Sequence, residues 1–200
     1  MPDLVDLAAD PGGEDDILSG SFMSVTCPKC GKLLKPELAV RVQDRARGLD
    51  LYLVPDLERN RYLAGRLPGV PADILRVVIG YPELVEKLRI ARAGLDDRVV
   101  EIVKFHLMRR AEQENPGKEI AIYFVSCAGG ELTFEVHGLR EDEVGRVRVS
   151  EERARKVADE LPRNLKREPY RSFLAGPYVS CTAVYESDAA PDDPAELSES

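Results

Sequence analysis

A helix stop and a helix start meet at Gly94-Leu95-Asp96. Upstream, Pro82 suits a first helical turn, where its missing N–H costs nothing. Leu84, Val85, Leu88 and Ala91 then recur on one face at helical spacing. Gly94 can take the left-handed conformation that closes such a helix, and Leu95 supplies the apolar contact that accompanies it. Asp96 can accept the unpaired N–H groups of a second helix. That helix has Val99, Val100, Val103, Leu107 and Ala111 on its apolar face and ends at Asn115-Pro116-Gly117. Two helices joined this tightly are expected to pack as an antiparallel hairpin.

Strands and short helices surround the hairpin. Residues 22–26 read as a strand running into Cys27-Pro28-Lys29-Cys30-Gly31-Lys32, and residues 38–42 and 49–54 as two strands joined by a polar connection ending at Gly48. Residues 56–67 fit a short helix closed by Pro68-Gly69, and residues 75–79 a β-branched strand stopped by Gly80. Beyond the helices, residues 119–127 and 132–137 flank Ala128-Gly129-Gly130, a hairpin signal. Residues 144–149 add a third strand, Ser150 with Glu151 and Glu152 opens a helix to about residue 161, and residues 178–185 read as a last strand. This order predicts an α+β fold. A small zinc-knuckle-like β unit spans residues 21–55, and an α+β body spans residues 56–185.

Charge divides the chain differently. The 200 residues carry a formal net charge of −8, yet residues 1–20 and 186–200 each hold six carboxylates and no base. The ends are therefore −6 each and the body is +4. Both ends read as acidic disordered tails. A body of this length can bury a core, and 44% apolar with 32% charged residues is an ordinary globular composition. The start lacks the basic and apolar regions of an export signal. The longest apolar run, residues 120–125, is too short to span a bilayer. The expectation is a cytoplasmic protein with no membrane partner. The basic body leaves nucleic acid open as a partner without supporting it. Arg109-Arg110 and the stretch 163–171 read as solvated faces.

Chemistry concentrates at Cys27 and Cys30. Two residues between thiols let both sulfurs face one metal ion, Pro28 stiffens the turn, and Gly31 can take the positive φ required after the second ligand. Structural zinc takes four ligands, so the pair is half a site. Three readings fit it: a zinc knuckle, a metal-free copy of that turn, and a redox pair. A thioredoxin-type pair opens a helix, whereas Gly31 and Pro36 interrupt one here. Cys127 and Cys181 each close a Val-Ser-Cys triplet on an expected strand and are candidate further zinc ligands, although burial as small hydrophobes is the simpler reading. A zinc ion shared between two chains, making a homodimer, is the other route to four thiolates. His106 and His137 suit structural roles, and no Ser-His-Asp spacing supports nucleophilic catalysis. The expected function is a non-catalytic binding or adaptor module with a protein partner. The alternative is a thiol redox protein using Cys27 and Cys30.

Residues 22–31, Leu51-Tyr52-Leu53-Val54-Pro55, Leu84-Val85-Glu86-Lys87-Leu88-Arg89-Ile90 and Gly94-Leu95-Asp96-Asp97-Arg98-Val99-Val100-Glu101 resemble the CpXC domain family of bacteria and archaea. The resemblance runs from about residue 18 to residue 185 and is strongest at the helix hairpin. It implies two Cys-Pro-x-Cys knuckles forming a zinc-ribbon-like site of four cysteines. In this chain only Cys27 and Cys30 match a knuckle, and the residues after Gly31 resemble those C-terminal to the family's second knuckle. The acidic N-terminal stretch stands where the first would lie. The resemblance supplies no catalytic residue.

Overall fold

In the computed structural model, which describes residues 3–10, 12–140 and 143–187, the first sheet has the order β1 (Asp3–Asp6), β4 (Val40–Asp44), β5 (Leu49–Val54), β6 (Arg76–Ile79). β1 runs parallel to β4, β4 antiparallel to β5, and β5 parallel to β6. Because successive side chains leave opposite faces of a strand, the apolar run Leu51-Tyr52-Leu53-Val54 serves two cores. Leu51 and Leu53 pack with Leu84 and Leu88, while Tyr52 and Val54 pack with Val77, Ile79 and Tyr178. The sheet crosses residue 55, where the sequence separates the knuckle unit from the body.

The acidic N-terminal stretch is not a disordered tail over its described residues. It forms β1 and helix α1 (Gly13–Ser19), with Leu7 and Ile17 buried against the sheet. Its carboxylates are placed beside cations distant in sequence: Glu14 meets Arg47 at 2.8 Å, and Asp15 meets Arg92 at 2.7 Å. Between α1 and β4, a two-stranded ribbon of β2 (Val25–Thr26) and β3 (Leu33–Leu34) carries the cysteine turn. A 3-10 turn (Asp56–Glu58) and α2 (Arg59–Leu63) link β5 towards β6.

The helix hairpin forms as expected from α3 (Gly80–Arg92) and α4 (Asp97–Glu114). Gly94 lies at φ +68°, and the Asp96 carboxylate accepts the Arg98 N–H. Glu86 and Lys87 of α3 face Lys104 and Glu101 of α4, the reversed order that an antiparallel pair requires. A meander of β7 (Ala121–Ala128), β8 (Glu131–Arg140) and β9 (Glu143–Ser150) follows. Gly129 and Gly130 turn its first hairpin at φ +60° and +78°, a conformation other residues adopt at a cost. Ser150 caps α5 (Glu151–Asn164), and α6 (Tyr170–Leu174) completes a core of Phe105, Phe124, Phe134 and Phe173. The fold is α+β. Among the described residues no helix is long and apolar enough to cross a membrane.

The chain's end departs from the expected strand over 178–185. Tyr178 makes one parallel bridge to Val77, whose N–H donates to the Pro177 carbonyl. The Ser180 and Thr182 hydroxyls then bond each other at 2.7 Å, and the chain coils into α7 (Thr182–Ser187). Local side-chain bonding of this kind competes with a strand ladder. Beyond α7, the expected acidic tail lies outside the described residues. The ordered N-terminus has a direct test. Ile17→Ala should lower the unfolding free energy in urea by about 2–4 kcal/mol, because Ile17 is 0% exposed. No change would mean that α1 is not packed.

Candidate functional site

The cysteine turn is built by the ribbon. Thr26 pairs with Leu33, the Cys27 N–H donates to the Lys32 carbonyl at 2.8 Å, and the Gly31 N–H donates to the Cys27 carbonyl at 2.9 Å. Gly31 closes the turn at φ +69°. Cys27 is half-buried and Cys30 exposed. The backbone N–H groups of Lys29 and Cys30, with the Cys30 thiol, hold the Cys27 thiol below the ordinary range. This favours the thiolate, the form that ligates metals and attacks disulfides. The ribbon has little packing of its own. Val25, Leu33, Leu34 and Leu38 are 50–59% exposed, and Lys29, Lys32 and Lys35 stand in solvent.

All four cysteines and both histidines lie among the described residues, and the fold separates them. Cys181 is 0% exposed in the main core, its N–H donating to Glu101 Oε2 at 3.0 Å. Burial and the Glu101 charge push its thiol well up. Cys127 is half-buried on β7 opposite Leu132, and burial with the Glu151 charge raises it. His106 Nε2 and the Tyr170 hydroxyl hydrogen-bond at 3.2 Å, and burial with Arg153 and Arg109 lowers the imidazole. His137 packs edge-on against Tyr123. Among the described residues no three of His, Cys, Asp and Glu gather to hold a metal. Cys127 and Cys181 therefore do not join Cys27 and Cys30: one sits on a sheet, the other in the core.

A second concentration of chemistry lies inside the molecule. Glu83, Glu86 and Lys87 on α3 and Glu101 and Lys104 on α4 are each no more than 8% exposed. Lys104 Nζ lies 2.7 Å from Glu86 and 3.2 Å from Glu101, and Lys87 Nζ lies 3.1 Å from Glu101 and 3.2 Å from Asp97. Arg76 reaches Asp97 at 2.8 Å, and Arg59 faces Glu83 at 3.7 Å. The remaining lone pairs and protons go to the backbone. Glu86 accepts the Phe124 N–H, Glu83 the Ile79 N–H, and Lys87 donates to the Val179 carbonyl. The Tyr178 hydroxyl donates to Glu83 at 3.0 Å.

Burial raises Glu86, helped by the Glu101 charge, against the opposing Lys104. At Glu101 burial is outweighed by Lys104, Lys87 and the Cys181 N–H, so it lies below the usual range. Lys104 is held well above its ordinary value, because Glu101 and Glu86 overcome its burial. Glu83, with a cation only at 3.7 Å, is pushed up by burial to about 7. Sequence reasoning missed this array because the two helices were read from their apolar stripes alone, and the charged positions beside those stripes were left unread. The signal was present: Glu83, Glu86 and Lys87, then Asp97, Glu101 and Lys104, fall at helical spacing beside the apolar stripes, with Glu86 and Lys87 opposite in sign to Lys104 and Glu101 across the Gly94 turn. Lys87, Arg76 and Asp97 also border a cleft of about 370 Å³, where Arg47 and Arg98 too are paired with carboxylates.

The CpXC protein family model matches residues 1–104, which includes β1 and α1 and ends within α4. A protein of Treponema pallidum (strain Nichols) bearing the name "Uncharacterized protein" is 30% identical, with 84% of each chain covered. No solved structure matches the chain.

The buried array has two measurable consequences. Lys104→Met leaves Glu86 and Glu101 buried without their shared cation and should cost about 3–5 kcal/mol in urea unfolding. Lys156→Met, at an exposed pair, should leave stability unchanged. Glu83 binds its proton more tightly folded than unfolded, so its contribution is complete below the unfolded carboxyl value and fades as pH rises through about 7. Against Glu83→Gln, the unmutated protein should lose on the order of 3 kcal/mol between about pH 4 and about pH 8. Parallel pH profiles would contradict a buried, raised Glu83.

Proposed function

The chain belongs to the CpXC family, and on that premise we propose that it is a non-catalytic binding module whose Cys27 and Cys30 hold zinc at the tip of an exposed ribbon. The observation that carries this reading is the turn: two thiols on one strand reversal, with backbone N–H groups that favour the Cys27 thiolate. These donors fit half of a tetrahedral thiolate site. Zinc bound there would fix the strand reversal. The non-catalytic part is supported by the buried array, since Glu86, Glu101 and Lys104 are 1–2% exposed and spend their hydrogen bonds on the fold. Groups so placed cannot touch a substrate.

The lowered Cys27 thiol also favours a second reading, a thiol redox pair. Against it, Cys30 is followed by Gly31 and strand β3, so the pair does not open a helix as a thioredoxin-type pair does. Metal analysis of the full chain, purified under reductant, separates the two. Zinc should co-purify, vanish in Cys27→Ser and Cys30→Ser, and persist in Cys127→Ser. The urea midpoint should hardly move in the first two variants, because the ribbon stands outside the cores. A metal-free protein whose Cys27 and Cys30 form a readily reversible disulfide would overturn the zinc reading.

A further inference from the structure

We propose that a second copy of this chain completes the metal site, so that Cys27 and Cys30 of two ribbons enclose one zinc ion on a two-fold axis. The proposal rests on the zinc reading of the turn and names the partner at that site. Structural zinc is closed by four ligands. Each other cysteine and histidine of the chain has a position elsewhere: Cys181 in the core, Cys127 on β7, His106 against Tyr170 and His137 against Tyr123. Among the described residues nothing fills the other two positions on the metal. A two-fold axis through the ion supplies the same two thiolates again, the self-complementary arrangement usual in dimers.

The ribbon is shaped for that contact. Cys30 is exposed, and among the described residues no Asp, Glu or His gathers with the two thiols as a third ligand. Val25, Leu33, Leu34 and Leu38 leave half or more of their surface open beside the turn. A ribbon with two residues per strand is too short to be stable alone. Joining two of them on a metal covers apolar surface that the monomer leaves wet.

Charge sets a distinctive dependence. Four thiols lose their protons to bind one Zn²⁺, so assembly releases protons and leaves the centre at −2. Lys29 and Lys32 place two positive charges at each ribbon tip, so two tips carry more positive charge than the centre neutralises. The two tips repel overall, and added salt screens that repulsion. Zinc-linked assembly should tighten as ionic strength rises, opposite to binding between oppositely charged surfaces.

The test uses the full chain, stripped of metal under reductant, titrated with Zn²⁺ and followed by light scattering and native mass spectrometry. The mass should double, with saturation at one zinc per two chains, and return to monomer with chelator. Cys27→Ser should remain monomeric, and Leu34→Glu should weaken assembly at least tenfold without altering the monomer's fold. A monomer holding its own zinc would overturn the shared site and leave the zinc reading standing. Failure to bind zinc at all would overturn both. A dimer that forms equally without zinc would also refute the proposal.

Discussion

Lys104, 2% exposed, sits between Glu86 and Glu101, each 1% exposed, and much of the molecule is arranged so that these three can be there. Removing one charge from water costs several kcal/mol unless partners replace the lost hydration. Here the partners come from three separate places. Phe124 of β7 and Cys181 near the C-terminus give backbone N–H groups to Glu86 and Glu101, and Val179 gives its carbonyl to Lys87. Glu83 ties in Ile79 at the end of β6 and the Tyr178 hydroxyl. The helix hairpin thus pins the first sheet, the meander and the C-terminal segment to one another. Apolar residues of the same size could stabilise such a junction equally well. What the charges add is register, since a shifted helix or strand would strand a buried carboxylate.

Thiol chemistry is kept apart from this interior. Cys181, buried with its thiol pushed up, is inert packing, whereas Cys27 and Cys30 stand on a ribbon outside every hydrophobic core. The ribbon therefore has a different source of order from the body. The body is held by burial and by paired charge. The ribbon has only its four strand residues and a glycine-closed turn. A metal bridging Cys27 and Cys30, as proposed, would supply the missing constraint there, and its loss need not disturb the rest.

The helix hairpin and the meander were legible because their signals are local. Gly94 and Asp96 act within one turn of the backbone they terminate or cap, and Gly129-Gly130 turn their own hairpin. The N-terminal segment was not legible, because what orders it is distant. Glu14 meets Arg47 and Arg92, and the Tyr81 hydroxyl donates to the Ile17 carbonyl. Read locally, those carboxylates make an acidic tail. The C-terminal segment failed for the opposite reason: Val179 and Cys181 alternate like a strand, but Ser180 and Thr182 bond each other and the chain coils. At the cysteines, the turn was readable from Cys27 to Gly31, while the separation of Cys127 and Cys181 from it depended on the tertiary fold.

X-ray absorption at the zinc K edge of the reconstituted full chain tests the proposed shared thiolate centre most directly. Among the described residues no further ligand joins Cys27 and Cys30 at the turn, so the proposed pairing of two chains on one ion should give four sulfur neighbours at about 2.3 Å. Two sulfurs accompanied by nitrogen or oxygen neighbours at about 2.0–2.1 Å would contradict it.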